Sequence, residues 1–349
     1  MHRQLAPIAA AVLLALPGVA LAQGAQAQGS QAQGSQAQGS QQSAEPQVYQ
    51  GKDLFGRPMY TRGPNPVNVG ATDNLLRAVA EAKAAYERDM TIDSATWYGR
   101  LLGYQGLARE SIEVYSAGLK KYPNSAKLLR HRAHRYFNLR EFDKSIQDGL
   151  RAAELYKDKP LEREKLGPDY FPSTPDVVQF YLYYHLGQAY FAKHDYDDAA
   201  KWFSKSREVA LATGGAPDVT AATYWQYLAL ARGGETDKAE ALLDAYDYDL
   251  RDLSTNLEGN NYFDGVMLFK HLRDPADFFS DRDSGKAFST SDGIKASSSY
   301  SLANYWLIKG ETEKAKEHLR RAMQIDTWSF FARVQAEADW VLLYGAEAP

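Results

Sequence analysis

His185-Leu186-Gly187-Gln188-Ala189-Tyr190, then Asp195-Tyr196-Asp197-Asp198-Ala199 with Phe203 and Ser206 beyond, decides the reading of this chain. Leu186, Ala189 and Tyr190 recur at helical intervals. So do Tyr196, Ala199, Phe203 and Ser206, and the two runs meet across a short polar turn. The arrangement repeats. Ile92–Ser125 carries Tyr98-Gly99, Leu102, Gly106, Ser111, Tyr115, Gly118 and Pro123, and the stretch from Ala126 to Lys157 places Ala133, Tyr136, Ser145 and Ala152 at equivalent offsets. Gly234 and Ala239 repeat the second half, and Leu302-Ala303, Trp306, Gly310, Ala315, Leu319 and Ala322 repeat the whole. Units therefore fall near residues 92–125, 126–157, 180–211, 220–250 and 296–327, with a degenerate unit at 260–282. Gly106, Gly234 and Gly310 sit where one helix must stop before the next.

This pattern resembles the tetratricopeptide repeat (TPR), a helix-turn-helix unit of about 34 residues. In that family one small residue on the first helix and two on the second let the pair approach closely. The resemblance implies an all-α fold: a right-handed superhelical TPR solenoid of antiparallel helix pairs over residues 70–345, with a C-terminal capping helix at Ser329–Tyr344. It also implies a partner-binding groove on the concave face, lined by the first helix of each repeat. Register places Thr96, Arg100 and Tyr104 there from the first repeat, and Lys127, Arg130, His131, His134, Phe137 and Asn138 from the second. The third supplies Tyr181, Tyr184, Gln188 and Phe191, the fourth Tyr224 and Leu228, and the last Tyr300 and Asn304. Such a groove is basic at one end and aromatic further along, which suits a peptide with carboxylates and apolar anchors. The family's clamp for a terminal carboxylate is not matched: its places are held by Thr96, Arg100, His131, Tyr181 and His185, none of them the family residue.

Composition sets the compartment and excludes several chemistries. The 349 residues carry 40 basic and 44 acidic side chains and no cysteine. A near-balanced charge lacks the basic stripe that nucleic acid requires. Without cysteine there is no disulfide, thiolate metal site or lipid-modified N-terminal cysteine. Residues 1–22 read as a signal peptide: a basic start, an apolar stretch from Leu5 to Leu21, and the small-residue site Ala20-Leu21-Ala22. The expected mature protein is periplasmic or secreted, without a membrane span. Residues 23–46, with three copies of Gln-Ala-Gln-Gly-Ser, lack the apolar content to order a backbone and read as a disordered tail, either a spacer or a drifting repeat. Residues 47–69 combine Tyr49, Leu54, Phe55 and Tyr60 with Pro58, Pro64 and Pro66, an extended segment expected to lie in the groove or cover an end.

No phosphate-binding loop, nucleophile elbow or dinucleotide fingerprint occurs, so no catalytic residue, cofactor or metal is expected. His131 and His134 share a helix face but lie among Arg130, Arg132 and Arg135, which disfavours a divalent cation. Asp274, Asp277, Asp281 and Asp283 fail a calcium-loop spacing because Lys286 stands where glycine is needed, and they read as solvated helix ends, like Asp244, Asp247, Asp249 and Asp252. The expected function is an exported, non-enzymatic scaffold for an envelope protein or peptide, in envelope or cell-wall assembly. The alternative is a carbohydrate-binding accessory stacking sugars on Tyr181, Tyr183, Tyr184, Tyr224, Trp225 and Trp306. A third, an enzyme, would draw on Tyr262, His271, Asp281 and Asp283. Departures from the pattern predict local changes: Tyr227 replaces a small residue, and four prolines interrupt the array between Asp158 and Asp176. Asn260–Arg273 reads as an orphan first helix, with Asp274-Pro275 opening a short second one before the loop Ser280–Gly293.

Overall fold

In the computed structural model, the described residues are 47–61, 72–165, 167–171, 177–249, 257–279 and 292–349, all within the unit Pro46–Pro349. The expected signal peptide, the tail, residues 62–69 and the loop 280–291 lie outside them. Thirteen helices follow one another among the described residues. The first repeat is α2 (Ile92–Tyr104) and α3 (Ala108–Lys121), preceded by α1 (Thr72–Arg88). The second is α4 (Ala126–Asn138) and α5 (Phe142–Tyr156), the third α6 (Val178–Ala192) and α7 (Tyr196–Thr213), and the fourth α8 (Ala216–Arg232) and α9 (Thr236–Asp244). Then come α10 (Leu257–Phe269), the last pair α11 (Asp292–Ile308) and α12 (Thr312–Met323), and α13 (Phe331–Tyr344). Consecutive helices pack against each other, except that α10 packs on α8 rather than on α9, and first helices pack against first helices, an all-α solenoid of TPR-like pairs.

The pairs form for local reasons. Thr91 and Ser94 close a capping box on α2, and the side chains of Ser125 and Asp195 cap α4 and α7. Close approach within a pair depends on the small residues. A Cβ on Gly99 would lie 2.3 Å from the buried Tyr115 ring, and one on Gly187 would lie 2.6 Å from Phe203. Each first helix ends on a left-handed residue that reverses the chain: Gly106, Arg140, His194, Gly234, His271 and Gly310, with φ between 57° and 83°. Three of these are not glycine, and a side chain there carries a steric cost. His271 is exposed. His271→Gly is therefore expected to raise unfolding stability by about 0.5–1 kcal/mol, read as a higher urea midpoint at unchanged slope.

Three departures bear on the site. Tyr227 stacks on Phe269 of α10 with ring centroids 4.7 Å apart, so its bulk is absorbed between α8 and α10 beside the short α9. Asp274–Phe279 forms turns rather than the start of a second helix. The extended segment is instead a hairpin of β1 (Tyr49–Lys52) and β2 (Pro58–Tyr60), turned where Asp53 Oδ1 accepts from the backbone N–H of Phe55 and Arg57. This hairpin lies against the turns of the first two repeats: Gln50 accepts from Arg109 N–H, and Met59 packs with Ala108, Leu139 and Trp328.

The C-terminal helix differs most from expectation. It packs on α11 and α12, as a cap would, and it also crosses to α6. Val334 to Trp340 is buried without interruption. A helix buried on all sides is enclosed by its neighbours rather than laid over an end.

Candidate functional site: the face of the first helices

Two segments of the chain itself cover the face where a partner groove was expected. At the basic end the proline-rich insertion turns inward. Glu164 is 5% exposed and accepts from Arg100 Nη1 at 2.6 Å and from His131 Nε2 at 2.6 Å, with Arg130 Nη1 at 3.8 Å. His131 Nδ1 accepts from Arg130 Nη1 at 2.8 Å, and this network assigns the imidazole proton to Nε2. Burial would raise the Glu164 carboxyl, but His131 and the two guanidiniums outweigh it and hold the group well below the usual carboxylate range. Lys127 bridges Glu162 at 2.7 Å and Asp93 at 3.4 Å. Phe171, from the same insertion, meets Trp97 and Tyr104.

At the aromatic end the cover is α13 with the turn before it. Asn138 donates to the Ser329 carbonyl, and Phe331 packs among Phe137, His134, Tyr184 and His185. Gln335 donates to the Gln188 backbone and side-chain oxygens at 2.8 and 2.9 Å. Arg140 forms a bidentate pair with the fully buried Glu337, at 2.9 and 2.6 Å. Asp339, 1% exposed, accepts from both terminal nitrogens of Arg232 and from the Tyr300 hydroxyl at 2.7 Å, while Arg232 also donates to Asn304. Burial acts to raise the Asp339 carboxyl, and Arg232, with the hydrogen bonds to it, holds the group well below the usual range instead.

This arrangement corrects the accessibility expected of the groove residues. Arg100, Tyr104, Lys127 and Arg130 are engaged by the insertion, and His134, Phe137, Asn138, Tyr184, Gln188, Tyr300 and Asn304 by the C-terminal segment or by residues that hold it. Phe191, Tyr224 and Leu228 belong to the core between repeats: Phe191 packs on Trp225 and Tyr224 on Tyr262. Tyr181 is half-buried beneath the Arg130 guanidinium, 5.1 Å from its ring centroid. The physical reason is burial: first helices rich in aromatic side chains leave apolar surface that the chain covers itself. The sugar-stacking set is dispersed for the same reason, because Tyr184, Tyr224 and Trp225 lie in the core. Of the enzyme candidates, Tyr262 is buried and Asp281 and Asp283 lie outside the described residues. Among the described residues no group of three His, Cys, Asp or Glu side chains is placed to hold a metal, and no helix is long and apolar enough to cross a membrane.

Register alone did not identify Glu164, Phe331, Glu337 and Asp339, nor Arg135, Arg140 and Arg232. Acids spaced along an otherwise apolar terminal helix, in Ala336-Glu337-Ala338-Asp339-Trp340, were the available signal, since acids buried on such a helix need cationic partners.

Three imidazoles lie between the two covers. Burial pushes His131 down to about 3, aided by Arg130 and opposed by Glu164. Burial and neighbouring arginines hold His134 and His185 well below the usual imidazole range. Their folded values lie below the unfolded value near 6.5, so below that pH the unfolded chain binds more protons and stability falls with pH. The expected loss is about 1.4 kcal/mol per pH unit for each imidazole still neutral in the fold. Urea midpoints should hold near pH 7 and decline steeply from about 6.5 towards 5; a level profile over that range contradicts neutral burial.

No family model matches the chain, and no curated protein matches it. Among solved structures it is similar to a tetratricopeptide repeat protein from Parabacteroides merdae, at 18% identity over 76% of this chain and 92% of the other, with a TM-score of 0.42. It is also similar to BtubC from P. vanneervenii, at 15% identity over 76% and 90% of the two chains, with a TM-score of 0.40. The architecture described above rests on this chain's own helix pairs and turns.

Proposed function

We propose that this protein is an exported, non-enzymatic scaffold that binds envelope protein partners through the face of its first helices. The observation supporting this reading is the chemistry of the two internal covers. Each presents buried carboxylates and an aromatic ring to arginines on that face: Glu164 with Phe171 at one end, and Glu337 and Asp339 with Phe331 at the other. A surface that holds its own peptide segments by bidentate arginine contacts and ring packing is suited to partner segments of the same kind. Export rests on the leader-like residues 1–22. Crosslinking of the full mature chain in native envelope, followed by mass spectrometry, tests the proposal. The expected result is a saturable protein partner with crosslinks clustered on α2, α4 and α6. No saturable partner, or crosslinks confined to the second helices, would refute it.

A further inference from the structure

The face carries arginines at successive stations, and all but one meet a carboxylate. Arg100 and Arg130 share Glu164, Arg140 holds Glu337, and Arg232 holds Asp339. Arg135 is the exception among the described residues. It is 8% exposed, its Nη2 donates to the neutral His134 Nδ1 at 2.9 Å, and its buried Nε meets no acceptor. The guanidinium packs against α2 at Gly103, where a Cβ would stand 2.5 Å from Nη1. Arg135 also sits between the two covers. Tyr104, which meets Phe171, is on one side, and His134, which meets Phe331, is on the other; both are half-buried. Burial disfavours its charge, and Arg130 and Arg100 repel it, so the buried guanidinium lacks a counter-ion among the described residues.

We propose that Arg135 is a binding residue for an acidic side chain of a partner peptide, which enters between the insertion and the C-terminal helix and completes the row of arginine–carboxylate pairs. The inference rests on the scaffold reading and names the partner's chemistry: a carboxylate flanked by aromatic residues, as in the chain's own two covers. A fork of N–H donors matches a carboxylate in a way that a lone ammonium does not.

The test is titration calorimetry of the full mature chain with the acetylated, amidated peptide Phe-Glu-Glu-Phe, using Phe-Gln-Gln-Phe as control, beside thermal unfolding without peptide. The native chain is expected to bind the glutamate peptide at least tenfold more tightly than the control. Arg135→Met is expected to abolish that difference and to raise the unliganded Tm by about 2–4 °C, because an unpaired buried charge is replaced by an apolar chain of similar length. Arg135→Gln should lose the discrimination as well. Equal binding of the two peptides by the native chain, or unchanged discrimination in Arg135→Met, overturns the proposal. Failure of both variants to fold assigns Arg135 to structural packing and also overturns it. The scaffold reading fails separately, through the absence of a crosslinked partner in native envelope.

Discussion

Asp339→Ala is expected to destabilise the protein by about 3–5 kcal/mol, the cost of leaving a buried guanidinium without its partner. Arg232 is nine-tenths buried and directs two nitrogens at this carboxylate, and the Tyr300 hydroxyl, Asn304 and His194, whose Nε2 lies 3.4 Å from Asp339, surround the pair. Removing the acid leaves the cation in place with a single side-chain acceptor, Asn304, and loosens α13 from the ends of α8 and α11. The contrast is Asp143→Ala. Asp143 pairs with Lys193 at 2.6 Å, as short as the buried pairs Arg100–Glu164 and Arg140–Glu337, but both side chains are exposed. An exposed pair contributes between nothing and about 1 kcal/mol, because water screens it and two long side chains must be ordered. Urea unfolding of the two variants separates burial from distance: the Asp339 variant should shift the midpoint strongly and the Asp143 variant barely. Protonation should act in the same direction as the Asp339 substitution. The folded carboxyl lies below its unfolded value, so the contribution is complete above about pH 4 and is lost as pH falls towards the depressed folded value.

Glu164→Ala is expected to have an effect of similar size at the opposite end, again about 3–5 kcal/mol, because one carboxylate serves two buried guanidiniums and an imidazole. Its second consequence is local. Glu164 is the buried charge anchor of the insertion between α5 and α6. With it gone the ties left include the partly exposed pairs Lys127 to Glu162 and Lys165 to Asp93, the hydrogen bonds of Gln179 to Glu162 and Pro160, and the Phe171 contacts. Limited trypsinolysis should then cut at Arg163 or Lys165 well before the helices are attacked, whereas the native chain should be cut there slowly. Glu164→Gln keeps the shape and an acceptor oxygen but removes the charge. It should fall between the native chain and the alanine variant, which measures how much of the effect is electrostatic.

The helix pairs were legible because their signals are local and repeated. Gly187 facing Phe203, Gly99 facing Tyr115, and the left-handed turns at Gly106, Gly234 and Gly310 each state a requirement that neighbouring residues repeat. Arg140, His194 and His271 adopt the same turn without announcing it, since nothing in an arginine or histidine marks a positive φ. The first-helix residues of the candidate site could be named from register, because a helical period assigns a face. What covers that face could not be. Glu164 lies in a proline-rich stretch with no period, and its partners Arg100 and His131 are 64 and 33 residues away in the chain. The terminal helix showed an apolar rhythm that reads equally well as an end cap. Only Glu337 and Asp339, buried between its apolar residues, require specific cations, and Arg140 and Arg232 lie 197 and 107 residues earlier. Long-range charge pairing carries no sequence period, so it emerges only from the folded arrangement.

The central claim is that the C-terminal helix lies in the face of the first helices. A double-mutant cycle on Arg140 and Glu337 tests it most directly, because these side chains meet only if α13 occupies that place. Urea unfolding of Arg140→Gln, Glu337→Gln and the double variant yields the coupling between them. The pair is buried and bidentate, so the expected coupling is about 2 kcal/mol, with the double variant less destabilised than the sum of the singles. Strict additivity of the two single effects would place α13 away from Arg140 and contradict the account.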